Sequence, residues 1–348
     1  MVIENRIEQF QKLFPAAPTY RWRQVEAAFF DAGVRGWASI TTLPKDIRLT
    51  LAREMPWISI CEVGMYESKN HDTWKAILKG RDGQQFESVL MANRHGQWTI
   101  CVSSQVGCAM RCTFCATGAM GLKRSLMGDE IIDQYRFWRN FLVERPALPP
   151  RISNIVFMGM GEPMANYDNV KAAIHTWLEY TDLGSTHITV STVGVLSQLE
   201  KLLDDPDWPR VRIAISLHSA NQKRRESIVP TTTPDFLDNL ADWSKRYHQK
   251  YGSRKLHITY EYTLLQKVND EPEHARELAK YIRRTGVSKI NVIPYNPVVG
   301  KSFTTSQRDR IDKFKELLRT FNLNVTERRT MGDDIAAACG QLAIKKNK

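Results

Sequence analysis

The chain has 348 residues and a formal net charge of +11, from 49 Lys and Arg against 38 Asp and Glu, and its 42% hydrophobic content suffices for a real core. No apolar run reaches the ~18 residues of a membrane helix, the opening Met1–Arg6 lacks a basic-then-apolar leader, and six cysteines in so long a chain do not make a disulfide framework. The expectation is a protein of the reducing cytoplasm with no membrane association, nothing pointing to an obligate oligomer, and a surplus of positive charge that suits a polyanion; a solvated basic surface is the plainer alternative.

Residues 1 to about 70 read as helical, because apolar positions recur at helical spacing in Ile7, Phe10 and Leu13 and again in Val25, Ala28 and Phe29. Pro15, Pro18, Pro44 and Pro56 punctuate them. Cys61 reads as a core residue, the usual fate of a free cysteine. Strand-like runs follow at 73–78, 86–91 and 98–103, with Gly80 and Gly83 turning the first into the second. Residues 1–95 are expected to be an accessory domain. From Trp98 the pattern becomes strand, loop, helix. Candidate strands are 98–103, 153–158, 187–191, 211–216, 256–262 and 289–294, with helices such as 129–143, 196–203 and 273–284 between them. A run at 324–328 could add an edge strand. Six β/α units predict an open, partial (β/α)6 TIM-like barrel over 96–328, with chemistry at the C-terminal ends of its strands. Residues 329–348 form a C-terminal loop and basic tail. Basic clusters stand at Lys223-Arg224-Arg225, Arg283-Arg284, Arg328-Arg329 and 345–348.

The loop after the first barrel strand carries Cys108, Cys112 and Cys115 in C-x3-C-x2-C spacing. Three thiolates can hold three corners of a [4Fe–4S] cluster, whereas protein clusters usually take four cysteines. The open iron that results is the mark of enzymes that bind and reductively split S-adenosylmethionine (SAM). A structural zinc site wants four closed ligands, and no fourth Cys or His stands close by in sequence. After the second strand comes Met158-Gly159-Met160-Gly161-Glu162, where glycines permit close backbone approach to a ligand and Glu162 offers an acceptor for the SAM ammonium. Later strand ends carry Ser191, then Ser216-Leu217-His218, then Asn296; each alone could be no more than a strand-end cap. Two further cysteines stand apart: Cys101, at the end of the first barrel strand, and Cys339, in a segment with Gly332 and Gly340 on either side.

These strings resemble the RlmN/Cfr group of radical SAM RNA methyltransferases over nearly the whole chain, through 101–108, 112–118, 158–163, 216–218 and 334–342 taken in order. Pro163 after Glu162, followed by Asn166-Tyr167-Asp168-Asn169, is more similar to the RlmN branch. Two departures are Ala336, where the family often shows Asp, and a loop at 92–97 about one residue longer than in some relatives. The resemblance implies a small helical RNA-binding N-terminal domain on a partial barrel, with one [4Fe–4S] cluster per chain and two SAM molecules per turnover. It implies methylation of carbon 2 of an adenosine in 23S rRNA, at the peptidyl-transferase centre, and in some members of an adenosine beside the tRNA anticodon.

The resemblance also implies roles residue by residue. Cys339 takes a methyl group from one SAM, a task for a thiolate. A second SAM, on the cluster held by Cys108, Cys112 and Cys115 and bound by Gly161, Glu162, Ser191, Ser216, Leu217, His218 and Asn296, yields the radical that activates that methyl. Carbon 2 of adenine has no lone pair to attack a SAM methyl, which is why a radical is needed. Glu87 matches the position of the base that removes the carbon-2 proton, though an exposed strand residue would read the same. Cys101 then forms a disulfide with Cys339 and releases the RNA, so an external one-electron donor and a disulfide reductant are required. Methylation at carbon 8, as in the Cfr branch, is the alternative within the family. Outside it stand another radical SAM activity and a non-catalytic zinc-containing RNA-binding protein.

Overall fold

The structure is a computed structural model that describes residues 4–93, 96–253, 258–286 and 289–344. Helices α1 (Arg6–Leu13), α2 (Tyr20–Phe30) and α3 (Lys45–Glu54) come first, then strands β1 (Ile60–Glu67), β2 (Thr73–Gly80), β3 (Gln85–Ala92), β4 (Trp98–Cys101) and β5 (Gln105–Gly107). Next are α4 (Ala116–Met120), β6 (Leu122–Ser125), α5 (Gly128–Val143), β7 (Ile152–Phe157), α6 (Tyr167–Tyr180), β8 (Ile188–Thr192), α7 (Leu196–Asp204), β9 (Arg212–Ser216), α8 (Gln222–Ile228) and α9 (Phe236–Tyr251). The chain closes with β10 (Ile258–Leu264), α10 (Pro272–Thr285), β11 (Lys289–Pro294), α11 (Arg308–Thr320) and β12 (Asn324–Glu327).

Ten strands form one sheet in the order β1-β2-β3-β4-β7-β8-β9-β10-β11-β12. From β4 to β12 every neighbour is parallel, the open α/β barrel expected from the alternating pattern. These strands are rich in Ile and Val, which suits strands covered on both faces. The run at 324–328 is the parallel edge strand β12, paired with β11. Parts of three readings fall outside the described residues: 256–257 of the strand at 256–262, 94–95 of the loop at 92–97, and the tail 345–348.

Two readings of the N-terminal part are corrected. Residues 60–67 are strand β1 and not helix, because β2 supplies an antiparallel partner along the whole run, and tertiary pairing overrides weak local periodicity. Cys61 is exposed and not core: β1 is the edge of the sheet, and of its residues only Ile60 is buried. The sheet also runs unbroken past residue 95, since β3 pairs antiparallel with β4.

Helices α1–α3 enclose their own core of Phe10, Trp22, Val25, Phe29, Trp37 and Leu51. They are fixed to α5 by buried charge. Arg6 donates to Asp133 at 3.1 Å and Arg136 does so at 2.6 Å, and each guanidinium lies 4.3 Å from the centre of the Phe29 ring. Burial pushes the Asp133 carboxyl up, but the two guanidiniums and the Ser59 donors outweigh it and leave the group below its ordinary range. Among the described residues no helix is long and apolar enough to cross a membrane.

Candidate active site

The barrel mouth is built by the loops that follow the parallel strands. After β4 the chain makes the short β5–β6 hairpin, and the loop at its end carries the three clustered cysteines. Two backbone bonds, Cys115 N to Cys112 O at 3.1 Å and Cys108 N to Gly121 O at 3.1 Å, fold this loop over α4. Thr113 N donates to Ile228 O at 2.9 Å and pins it to the opposite wall.

One cavity, with roughly 1030 Å³ of atom-free space that includes open solvent, is lined by Cys108, Cys112, Cys115, Gly161, Glu162, Ser191, Ser216, His218, Asn296 and Cys339. Burial pushes the Cys108 thiol up to about 12, and Glu162 and Cys115 add to the shift. Burial also raises Cys112, with Cys115 and Cys108 next in effect. Cys108 and Cys112, close to each other and largely dehydrated, are poor thiolates unless a cation joins them. Among the described residues, no three His, Cys, Asp or Glu side chains converge on a position for a single ion. Cys108, Cys112 and Cys115 all line the cavity, a three-thiol donor set that fits a cubic cluster with one iron left open, whereas a closed zinc centre takes four ligands.

Glu162 is buried, and its carboxylate accepts Met164 N and Val193 N, each at 2.9 Å. Burial raises its pKa, and these donors with Thr192 pull against the rise. Gly161 has φ +102°, and a Cβ there would lie 2.5 Å from the Gln105 Cβ, so only glycine fits. Ser191 and Ser216 face each other, with Oγ atoms 3.5 Å apart. The His218 ring accepts from Thr263 N at 3.1 Å through Nδ1, and burial drives its pKa down to about 3, helped by Arg225. Asn296 donates to Cys339 O at 3.2 Å and accepts from Thr330 at 3.0 Å.

Three residues singled out by sequence do not line this cavity. Leu217 is buried behind it, its amide bonded to Glu261 O at 3.0 Å. Cys101 lines an adjoining cavity together with Cys339, Arg328 and Met158; burial raises its thiol to about 12, and the neighbouring Cys339 adds to that. Both cysteines are free thiols. Glu87 is fully buried on β3 beneath the C-terminal segment. It pairs with Lys75 at 3.2 Å and accepts Ala343 N at 2.9 Å, so it is not an exposed strand residue. Burial raises its pKa, and Lys75 is the main opposing influence.

Two charged lining residues, Glu261 and Arg328, escaped the sequence reading. Glu261 is a lone carboxylate inside a run of buried β10 residues, a signal that was available. Its carboxylate stands 3.6 Å from the Arg328 guanidinium, which also donates to Met158 Sδ at 2.6 Å. Arg328 belongs to the basic pair Arg328-Arg329, yet it points into the site. Arg225 is likewise a buried strut and not surface charge, bonded to Leu217 O at 3.1 Å, Thr232 Oγ1 at 2.5 Å and Val193 O at 2.5 Å.

Residues 102–279 match the family model described as the radical SAM superfamily. The chain is 36% identical over 350 residues to the probable dual-specificity RNA methyltransferase RlmN of Aquifex aeolicus, covering 99% of this chain and 97% of that one. It is 39% identical over 312 residues to the ribosomal RNA large subunit methyltransferase N of Nitrosopumilus maritimus, covering 87% and 86% of the two chains. A crystal structure of a radical SAM methyltransferase from Sphaerobacter thermophilus superposes with a TM-score of 0.86 at 35% identity, covering 97% and 96%. The order of the parallel strands, the cysteine loop at their mouth and these full-length likenesses agree: the chain belongs to the RlmN family of radical SAM methyltransferases.

Proposed function

We propose that this chain methylates carbon 2 of an adenosine in 23S rRNA and of an adenosine beside a tRNA anticodon, with Cys339 as the carrier of the new carbon. The observation that carries the reading is the position of Cys339: it lines the cavity of the clustered cysteines and Glu162, and also the adjoining cavity of Cys101. One thiol can thus meet a methyl donor on one side and a second thiol on the other. The names of the RlmN relatives support RNA as substrate, and the net charge of +11 suits phosphates. We read residues 1–95 as the accessory RNA-binding part, 96–328 as the radical SAM barrel and 329–348 as the catalytic-cysteine segment.

When bound at Cys108, Cys112 and Cys115, the cluster supplies one-electron cleavage of SAM, the chemistry needed to activate an unreactive C–H bond. The protein's own residues do the rest. Cys339 Sγ, as thiolate, takes the methyl of a first SAM by displacement, forming an S–C bond as the sulfonium S–C bond breaks. Glu162, Ser191, Ser216, His218 and Asn296 line the space for the second SAM. After the carbon on Cys339 joins the adenine, the adduct must give up one electron, which the bound cluster would accept, and Glu87 takes the carbon-2 proton; its oxygen now accepts Ala343 N–H and must exchange that partner for the substrate. Cys101 Sγ then attacks Cys339 Sγ. An S–S bond forms and the S–C bond breaks, its electron pair passing to the carbon, which becomes methyl on taking a proton. An external dithiol reduces the disulfide, and an external one-electron donor serves the cluster. Reduced thiols of this kind suit the cytoplasm, and we read the enzyme as a monomer.

The test uses anaerobically reconstituted protein, SAM with a deuterated methyl group and an RNA fragment carrying the target. Two deuterons in the new methyl of 2-methyladenosine is the expected result, and three would mean direct displacement and overturn the carrier role. An 8-methyladenosine product would refute the regiochemistry alone. Cys101→Ala is expected to accumulate RNA crosslinked to protein, and methylated RNA from Cys339→Ala would sink the assignment of Cys339.

A further inference from the structure

We propose that the buried ion pair Lys75–Glu87, on strands β2 and β3 outside the barrel, is a latch that positions the Cys339 thiol. The inference rests on the reading of Cys339 as the working thiol. Lys75 is 1% exposed and Glu87 0% exposed. Lys75 Nζ lies 3.2 Å from Glu87 Oε1 and donates to Ala336 O at 3.2 Å, three residues before Cys339. Glu87 Oε2 accepts Ala343 N at 2.9 Å, four residues after it. One ion pair thus grips the backbone on both sides of the thiol.

The β1–β2 turn and strand β2 provide further seating. Lys69 N donates to Asp334 Oδ2 at 2.8 Å. Gly332, with φ +65°, packs so tightly on β2 that a Cβ would come within 2.7 Å of Thr73 Cγ2. On the opposite side the segment touches the cysteine loop, where Ala116 N donates to Gly340 O at 2.8 Å and Thr117 Oγ1 to Leu342 O at 2.7 Å. Cys339 is therefore held between two walls, one from the antiparallel strands and one from α4.

A buried lysine–glutamate pair is a poor device for raising stability, since dehydrating both charges consumes most of what their attraction returns. What such a pair offers is geometry, because each charge makes charge-assisted bonds with defined direction. Here both spare bonds go to the backbone of one segment, across more than 240 residues of chain. The function this fits is fixing the distance from Cys339 to its partners. The three added strands then act as the dock for the catalytic segment.

The test uses full-length, cluster-loaded protein as wild type, Lys75→Met and Lys75→Arg. Hydrogen exchange by mass spectrometry reads the peptide over 336–344, and anaerobic glutathione titration reads the Cys101–Cys339 equilibrium, two thiols being oxidised as one glutathione disulfide is reduced. Lys75→Met is expected to speed exchange in that peptide roughly tenfold and to weaken disulfide formation by a similar factor, with peptides from β7 to β11 unchanged and Lys75→Arg restoring both. Unchanged exchange in 336–344 would overturn the latch, as would loosening spread over the whole barrel. Should Lys75→Met not fold, Asp334→Ala removes the exposed Lys69 contact and is expected to give a smaller, equally local increase; no increase counts against the dock. If wild type forms no Cys101–Cys339 disulfide, the two-cysteine reading fails, and the exchange data still decide the latch.

Discussion

The resolving role proposed for Cys101 makes a quantitative demand. Burial, with Cys339 beside it, raises this thiol from 9.0 to about 12, and only Arg328 and a backbone donor at Met158 oppose the rise. A shift of three units leaves about a thousandfold less thiolate at pH 7–8 than an unshifted thiol would have. The thiolate that does form is more nucleophilic, by about 20-fold for a Brønsted coefficient of 0.4–0.5. The two effects leave Cys101 some 50-fold slower than the same thiol in an unfolded chain. The assay is anaerobic alkylation by iodoacetamide with peptide mass spectrometry, on native and on urea-unfolded protein. The expected native profile rises tenfold per pH unit from 7 to 10 without a plateau, and Arg328→Met lowers the whole curve. A native plateau below about pH 9.5, or equal rates in native and unfolded protein at pH 8, would refute the argument. Cys101 would then react in a more hydrated setting than its place on β4 provides.

Three other perturbations test the frame around the site. Gly161→Ala places a Cβ 2.5 Å from Gln105 Cβ and 2.8 Å from its backbone nitrogen, at φ +102°. Left-handed strain and overpacking together should cost about 2–5 kcal/mol, read as a lower urea midpoint with weaker SAM binding; a loss below about 1 kcal/mol would refute the close approach. His218 has a folded pKa of about 3 against 6.5, so it stays neutral in the fold while the unfolded chain gains a proton. Its contribution is complete above pH 6.5 and falls by about 1.4 kcal/mol per unit as pH drops toward 3; His218→Gln should flatten that part of the stability profile, and an unchanged slope would contradict the neutral buried ring. Arg6→Met leaves the buried Asp133 with Arg136 as its one guanidinium. A loss of about 3–5 kcal/mol, with faster proteolysis between α3 and β1, is expected, and unaltered proteolysis would show that the helices do not depend on this pair.

The parallel barrel was legible because its strands are short, β-branched and separated by helical periods, signals that are local. The cysteine loop was legible because its spacing is itself the chemistry. Strand β1 was misread, since Ile60–Glu67 becomes a strand through its pairing with β2, a partner no local window contains. Arg225 and Arg328 looked like surface charge from their basic neighbours, and only the fold shows their guanidiniums turned inward. Ala336 is a departure of a different kind. Its φ of +51° lies in the left-handed region, which Asp tolerates better than Ala, a backbone constraint that sequence alone does not reveal.

The ties on the Cys339 segment explain why the site could be recognised in sequence while its assembly could not. Ala336 O, Cys339 O, Gly340 O, Leu342 O and Ala343 N make the contacts, and every residue except proline presents the same backbone donor and acceptor. The information lies on the other side, in Lys75, Glu87, Thr117 and Asn296, which belong to three distant stretches of chain, the first two sharing the β2–β3 hairpin. This arrangement has a chemical consequence. In the role proposed for Cys339, a thiol that accepts a methyl group, meets a base and then meets a second thiol needs several positions, and a segment held by discrete backbone bonds can exchange them one at a time, each bond contributing about 0.5–3 kcal/mol. Cys339 itself is exposed while Ala337, Ala338 and Leu342 around it are buried, so the carrier projects from an anchored strap, and the backbone bonds to the cysteine loop keep the strap in register with the SAM cavity.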